Sequence, residues 1–600
     1  MKINRLNRKS ILLSALLFLP FLQSCEDFLD KTPSSDLAEE AVFKDYRLFK
    51  EFVDGLYPFL WYTGDDFGWA TYAYGGFCRL QLSCLEDASD LSDGARSDCG
   101  VRTGFNMGDW NQSSALRAEL VFPWTGGYSA IRKVNRILDH VDVIEGLTDE
   151  ERAHIKGQAL FFRGFFHHEM LKRYGEIPYV DKTYNVSDDM DLARDTYADC
   201  VEKMCRDFEE AAALLPLEFP ESELGRPEKG AALGFKARTL LYAASPLNNE
   251  SNDITLWQKA AEAAYAVIAL NRYSLVPKND YRRIFYGQPT NSEVLFLRNG
   301  GSGLWKEGFS LPGWGNFMLG VGARPWSDEY SSTPCPTQNL LDMYEMDNGE
   351  KPILGYTDND GTKPIINSAS GYSEAKMYEH RDPRFYTTFL INGEPWLDAT
   401  GGIELFFDES GTPGKHIRDD NTWTQTGYLE KKFWDPILSP SSGTTYMNWI
   451  YLRYTDILLI YAEAMNETFG PDADGLGKGL TARQAVNMVR NRVGMANIKA
   501  NTQEELRERI QNERAIEFVY EDQRWFDVIR WKKGVEIFNR PVYGIRTIKQ
   551  ADGTFRLERR KIRDRVFKDY MHRYPIPRVE LNKSKNLKNN PQWDGVTVEE

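Results

Sequence analysis

Basic charge, cysteine and long apolar runs are what this chain has least of. Its 88 acidic residues outnumber 73 lysines and arginines, for a formal net charge of -15. A nucleic-acid partner needs a basic face, so that class is excluded and neutral ligands are favoured over polyanions. Seven cysteines in 600 residues make no CxxC pair, which argues against a zinc site. No phosphate-cradling glycine loop, GxSxG elbow or HExxH occurs, so no cofactor and no familiar hydrolase is implied. What the chain does have is material for a large core, with 42% hydrophobic residues. It also has 15 Trp and 30 Tyr, the residues that meet flat ligands at surfaces.

The N-terminus is read as a targeting segment. Lys2, Arg5, Arg8 and Lys9 precede the apolar run 11–22, which is short for a membrane span and right for a signal sequence. It closes on Leu22-Gln23-Ser24-Cys25, which resembles a bacterial lipobox. Residues 1–24 are therefore expected to be removed and Cys25 lipidated. Glu26 and Asp27 follow at once and look like an acidic surface-export tag. No second long apolar run follows, so the remaining chain is expected to be anchored to a membrane rather than to span it. Of the other cysteines, Cys78, Cys84 and Cys99 share one loop-rich stretch, where a disulfide and buried thiols are both open readings.

Helical pattern dominates the rest. Thr148-Asp149-Glu150-Glu151 reads as a capping box. Ile155, Ala159, Phe162, Phe166 and Met170 then form one apolar stripe, which Leu160, Phe161, Phe165 and Leu171 widen. Gly175 and Pro178 end this helix. A first helix is expected over 43–59 and another over 195–215. Segments 124–140 with 149–174, and 228–245 with 255–271, read as tetratricopeptide-like helical hairpins. Later helices are expected over 445–467, 481–495 and 501–531, before an extended tail. Two stretches lack helical period: an insert at about 60–112, and one at about 291–445 with short strands at VLFLRN, FYTTFL and IELFF. The expectation is a mostly α chain, one domain over 25–600. A helical scaffold spans about 37–290 and 445–540, and the irregular inserts form the ligand face.

Ordered motifs then carry a resemblance. They are Cys25-Glu-Asp-Phe-Leu-Asp, FPWTGGYSAIRKVN, GQALFFRGFFHHEMLKRYGEIPY, RPEKGAALGFKARTLLYAASP, LRYTDILLIYAEAMNE, AVNMVRNRVGM, ERAIEFVYEDQRWFDVIRW and YPIP with Glu580. Together they resemble the SusD/RagB family of outer-membrane nutrient-binding lipoproteins. The tail departs slightly: Asn582-Lys583-Ser584 stands where the family often has Asn-Pro-Asn, and Gln592 follows Pro591 where a glycine is common. The resemblance implies a non-catalytic carrier. Such proteins cap a SusC-like TonB-dependent transporter as a lid, bind an oligosaccharide outside the cell and pass it inward. Some relatives bind peptides instead.

Candidate residues divide accordingly. Aromatic side chains stack on the apolar faces of sugar rings, and Asn, Asp and Arg bond their hydroxyls. In the first insert the candidates are Trp61, Asp65, Trp69, Tyr72, Tyr74, Trp110 and Asn111; in the second they are Trp305, Trp314, Asn316, Arg324 and Trp326. The rival reading is a surface glycosidase using Glu517 and Glu521 as paired carboxylates. Glu513, Glu517, Glu521, Arg524, Asp527 and Arg530 instead suit an ion-pair network, with Glu521–Arg524 and Asp527–Arg530 as the expected pairs. His167 and His168 point about 100° apart on a helix, so they read as packing residues and not as metal ligands. Asp358-Asn-Asp-Gly and Asp472-Ala-Asp-Gly resemble the start of a calcium loop. Ala369 and Arg483 stand where the twelfth-position acid belongs, so both read as solvated turns.

Overall fold

The computed structural model of the protein describes residues 41–63, 71–73, 84–94, 100–110, 117–185, 187–285, 292–304, 334–396, 401–419, 423–433 and 444–593. The lipobox, and with it Cys25, lies outside these residues. Among the described residues no helix is long and apolar enough to cross a membrane.

The longest helices build the expected scaffold. They are α1 (Tyr46–Asp54), α2 (Phe122–His140), α3 (Asp149–Tyr174), α4 (Tyr197–Leu214), α5 (Lys229–Ala244), α6 (Ile254–Ile268), α7 (Tyr454–Phe469), α8 (Ala482–Val493), α9 (Gln503–Glu517) and α10 (Arg524–Arg530). α3 begins where its capping box predicts: Thr148 accepts from the Glu151 amide and Glu151 accepts from the Thr148 amide. It ends at Gly175, whose φ of 74° suits a residue without Cβ. Its 26 residues make a rod of roughly 39 Å. Each helix from α2 to α6 packs on the next, α6 packs on α7, and α7 packs on α8 and α9. The halves of the scaffold thus meet at α7, whose residues from Tyr454 to Asn466 are all buried. Asp456 on α7 pins them: it bonds Arg238 of α5 at 2.7 Å and Arg514 of α9 at 2.8 Å. Among the described residues one hydrophobic cluster runs from Phe49 to Trp593, and a small satellite lies within the second insert.

Four sequence expectations fail locally. The stretch read as one helix from residue 445 is a strand to Arg453 and a helix only from Tyr454. Aromatic and β-branched residues suit both, and pairing with another strand decided the outcome. The helix expected over 501–531 breaks after Glu517, because Tyr520 and Asp522 take positive φ values of 67° and 57°. FYTTFL is a helical turn, Phe385–Thr388, followed by the two-residue strand Phe389–Leu390. IELFF contributes only Phe407 to a strand.

The strands are few and antiparallel pairs prevail. β1 (Trp61–Thr63) pairs with β2 (Thr71–Ala73), Tyr62 opposite Tyr72. β3 (Val294–Leu304) pairs with β4 (Thr444–Arg453), with Leu297 opposite Ile450 and Val294 opposite Arg453. β5 (Val542–Lys549) and β6 (Phe555–Arg563) form a hairpin that the sequence reading missed.

Candidate functional site

Both inserts leave the scaffold at neighbouring points. β1 follows Leu60 directly, and the Tyr451 hydroxyl of β4 donates to the Leu60 carbonyl at 3.1 Å. A cavity of about 310 Å³ lies between these stems, lined by Tyr57, Leu60, Leu297 and Arg298 among others. Both inserts thus begin with an antiparallel strand pair rooted in one region.

The second insert is fastened by a buried ion-pair network. Arg453, at the end of β4, bonds Glu293 at 2.7 Å, Glu517 at 2.8 Å and Glu521 at 2.8 Å. Arg384 bonds Asp382 at 2.6 Å and Glu517 at 2.8 Å, and pairs with Glu513 as well. Lys432 bonds Glu521 at 2.7 Å. Arg490 and Arg492 of α8 complete the set through Glu345, Glu513, Glu293 and Glu517. Burial alone would raise the Glu517 pKa. The guanidinium groups of Arg492, Arg453 and Arg384 outweigh it and hold the carboxyl well below its usual range. Such a network stays intact only if every charge is matched, because a single unpaired buried ion costs several kcal/mol. It therefore fixes Glu293, Arg384, Lys432 and Arg453, which lie in or beside the second insert, against α8 and α9.

This arrangement bears on the glycosidase reading. Glu517 is 0% exposed and Glu521 6%, each bonded to cations. Neither presents a free oxygen to a sugar. Of the expected pairs, Asp527–Arg530 forms at 2.9 Å. Glu521–Arg524 does not, because the positive-φ break turns Arg524 toward Asp90, which it bonds at 2.9 Å. His167 and His168 are packing residues. His167 stacks 3.8 Å from Tyr179, His168 bonds Thr239 at 2.9 Å, and burial lowers both pKa values to about 3. The calcium-like turns close on themselves. Asp358 accepts from the Thr362 and Lys363 amides, and Arg483 pairs with Asp472 at 2.7 Å. Among the described residues no cluster has the makings of a metal site.

Of the candidate ligand residues, Trp61 and Tyr72 sit on the β1–β2 pair. Asp65, Trp69, Tyr74, Asn111, Trp305, Trp314, Asn316, Arg324 and Trp326 lie outside the described residues, the last five beyond the end of β3. Cys84 is buried, and Cys78 and Cys99 are outside the described residues. Trp110 needs correction. It is 1% exposed, enclosed by Phe105 at 4.7 Å, Tyr574 at 5.5 Å and both Trp525 and Trp593 at 5.7 Å. A ring packed on all sides is core, and no ligand stacks on it.

One cavity escaped the sequence reading. Its volume is about 770 Å³, and its walls include Trp124, Tyr128 and Arg132 of α2, Tyr184, and Glu580 near the C-terminus. That size suits a ligand pocket. Part of its polar lining is engaged in building the wall: the Tyr128 hydroxyl donates to the Pro178 carbonyl, and Asp191 accepts from the Lys585 and Asn586 amides. Three segments far apart in sequence make it, so no local pattern announces it.

Comparison with known proteins follows the same lines. Residues 298–593 match the SusD family, and residues 27–241 match the family described as starch-binding and associating with the outer membrane. A SusD-like protein of Formosa agariphila is 25% identical over 601 residues, covering 98% of this chain and 100% of the relative. A crystal structure of a SusD-like protein from Bacteroides fragilis is 28% identical with a TM-score of 0.72, covering 94% of this chain and 100% of that one. A second Bacteroides fragilis structure, of a SusD-like carbohydrate binding protein, shares the fold at 20% identity and a TM-score of 0.69, covering 91% and 100%. With family matches along both halves and a shared mostly α fold over nearly its whole length, the chain belongs to the SusD/RagB family.

Proposed function

We propose that this protein is a cell-surface glycan-binding lipoprotein, held in the outer membrane through lipid on Cys25, that caps a SusC-like TonB-dependent transporter and delivers oligosaccharide for uptake. The observation that carries this reading is the end-to-end likeness to SusD-like proteins, one of them described as carbohydrate binding. The division of the molecule supports it. The helices hold a buried core, whereas Trp61, Trp69, Tyr72, Tyr74, Trp305, Trp314 and Trp326 belong to the inserts, with Asp65, Asn111, Asn316 and Arg324 to bond hydroxyls. The ion-pair network fixes the base of the second insert, which lowers the ordering cost of binding. Burial of Glu517 and Glu521 in that network favours a carrier over a glycosidase.

Isothermal titration of the chain from residue 26 against neutral and acidic polysaccharide fragments tests the reading. Saturable heat with at least one fragment, and no turnover of it, is expected. Silence across the whole panel overturns the glycan assignment.

A further inference from the structure

The cavity of about 770 Å³ beside α2 shares no residue with either insert. Its walls come from the first half of α2, the segment from Pro178 to Leu192, and the stretch from Glu580 to Leu587. The middle segment is pinned in place by the protein alone. Asn135 of α2 donates to the Val180 and Lys182 carbonyls at 3.2 and 2.9 Å, and Arg163 of α3 donates to the Asp181 carbonyl at 3.2 Å. Such anchoring lowers the ordering cost of binding there.

Part of the lining charge is already matched. Glu580 pairs with Lys583 at 3.0 Å, and Asp191 accepts from the Ser584 hydroxyl and from the Lys585 and Asn586 amides. Two cations are left. Arg132 and Lys182 are exposed, and neither pairs with a carboxylate among the described residues. Tyr184 brings them together: its carbonyl accepts from Arg132 at 3.2 Å, and the Lys182 ammonium lies 4.8 Å from its ring centre. Against them stands Asp189, whose carboxylate accepts from the Asp191 amide at 2.9 Å. Two cations against one acid make a local positive excess in a chain of net charge -15.

Rings and hydroxyls narrow the ligand further. Trp124 meets Tyr128 and Tyr174 edge to face at 5.2 Å each, so it builds the wall. Tyr184 is half-buried, and no other ring of the described residues packs on it. The exposed Ser129 hydroxyl donates to the Thr125 carbonyl at 2.8 Å, which leaves its oxygen able to accept. The Thr183 hydroxyl, between Lys182 and Tyr184, is buried with no partner. A neutral sugar would leave the cations unused, and a plain fatty acid would leave the hydroxyls unused.

We propose that this cavity is a second saccharide site, which takes a sugar residue bearing an anionic group, a carboxylate or a sulfate ester. Arg132 and Lys182 hold the anionic group by charge-assisted hydrogen bonds, Ser129 accepts from a sugar hydroxyl, and Tyr184 offers its ring to a C–H face. The inference rests on the glycan-binding reading for the class of ligand alone. The principal glycan face stays with the inserts.

Calorimetry on the folded chain from residue 26 tests this, with a panel of uronate and sulfated trisaccharides, each beside its neutral methyl ester or desulfated counterpart. Hexanoate and tetraglutamate serve as acids without a sugar. At least one acidic trisaccharide should bind saturably and protect the amides of residues 180–185 in hydrogen exchange, and which series binds tells carboxylate from sulfate. Its neutral counterpart should bind about tenfold or more weaker, and Arg132→Gln and Lys182→Gln should each weaken the acidic ligand likewise at unchanged melting temperature. Equal affinity for the neutral counterpart, full affinity in the Arg132→Gln, Lys182→Gln double variant, or protection confined to the inserts overturns the inference. Equal binding of hexanoate or tetraglutamate overturns the saccharide class. If neutral fragments bind and no acidic one does, this inference alone fails; silence of every fragment overturns the glycan reading with it.

Discussion

Phe162 and Asp456 show two ways in which a single side chain holds this molecule. Phe162 is 0% exposed, with Tyr57 at 5.1 Å, Phe161 at 5.5 Å and Phe166 at 5.8 Å. Truncation leaves a cavity that rigid neighbours cannot fill. Phe162→Ala is expected to cost about 3–5 kcal/mol in denaturant unfolding, with the ligand preference of folded protein unchanged. Asp456 works through charge. Burial pushes its pKa up, but Arg238 and Arg514 outweigh burial and hold it at about 2. A carboxyl held below its unfolded value of about 4 lends stability that is full above that value and is lost as pH falls toward 2. Asp456→Asn should therefore destabilise by about 3–5 kcal/mol at pH 7, because buried Arg238 loses its counter-ion and buried Arg514 keeps only Asp527. The gap between variant and parent should narrow between about pH 4 and pH 2. A gap that stays constant across that window would refute the linkage.

Elements differ in how plainly the sequence announces them. α3 was legible end to end, because Thr148, Glu151 and Gly175 are local signals acting on their own neighbours. The strand from Thr444 to Arg453 was not, since Tyr446, Trp449, Ile450 and Tyr451 suit either state and the deciding partner lies some 150 residues away. The β5–β6 hairpin carried a usable signal in Asp552-Gly553, where Gly553 takes φ 85° between two alternating runs. The break at Tyr520 and Asp522 carried none, as left-handed non-glycine residues are imposed by tertiary packing. Close approach of helices was likewise hidden in plain residues. Gly164 of α3 lies against Phe208 of α4, and a Cβ there would stand 2.7 Å from the ring. Gly164→Ala should force α3 and α4 apart and cost about 1–3 kcal/mol in denaturant unfolding, despite alanine's better helix propensity. A neutral or stabilising result would mean that the interface yields freely.

At the scale of the whole molecule, the proposal assigns stability and binding to different parts of the chain. The scaffold is closed by α7 and its buried ion pairs, and the two inserts spring from neighbouring stems beside it. Residue types alone pointed to the inserts as the ligand face. Trp110 shows the limit of that reasoning, because a tryptophan in a glycine-rich stretch serves equally well as core. The network of Arg384, Lys432, Arg453 and Glu517 was legible only as a crowd of charges near residue 517, since most of its partners come from distant segments. The central claim is that the inserts bind and the helices support. The most direct measurement is the glycan affinity of a Trp305→Ala, Trp314→Ala, Trp326→Ala variant by calorimetry, with its melting temperature taken on the same sample. Loss of about tenfold or more in affinity at an unchanged melting temperature is the expected result, given about 1 kcal/mol or more for each stacked ring. Full affinity in the folded variant would contradict the account.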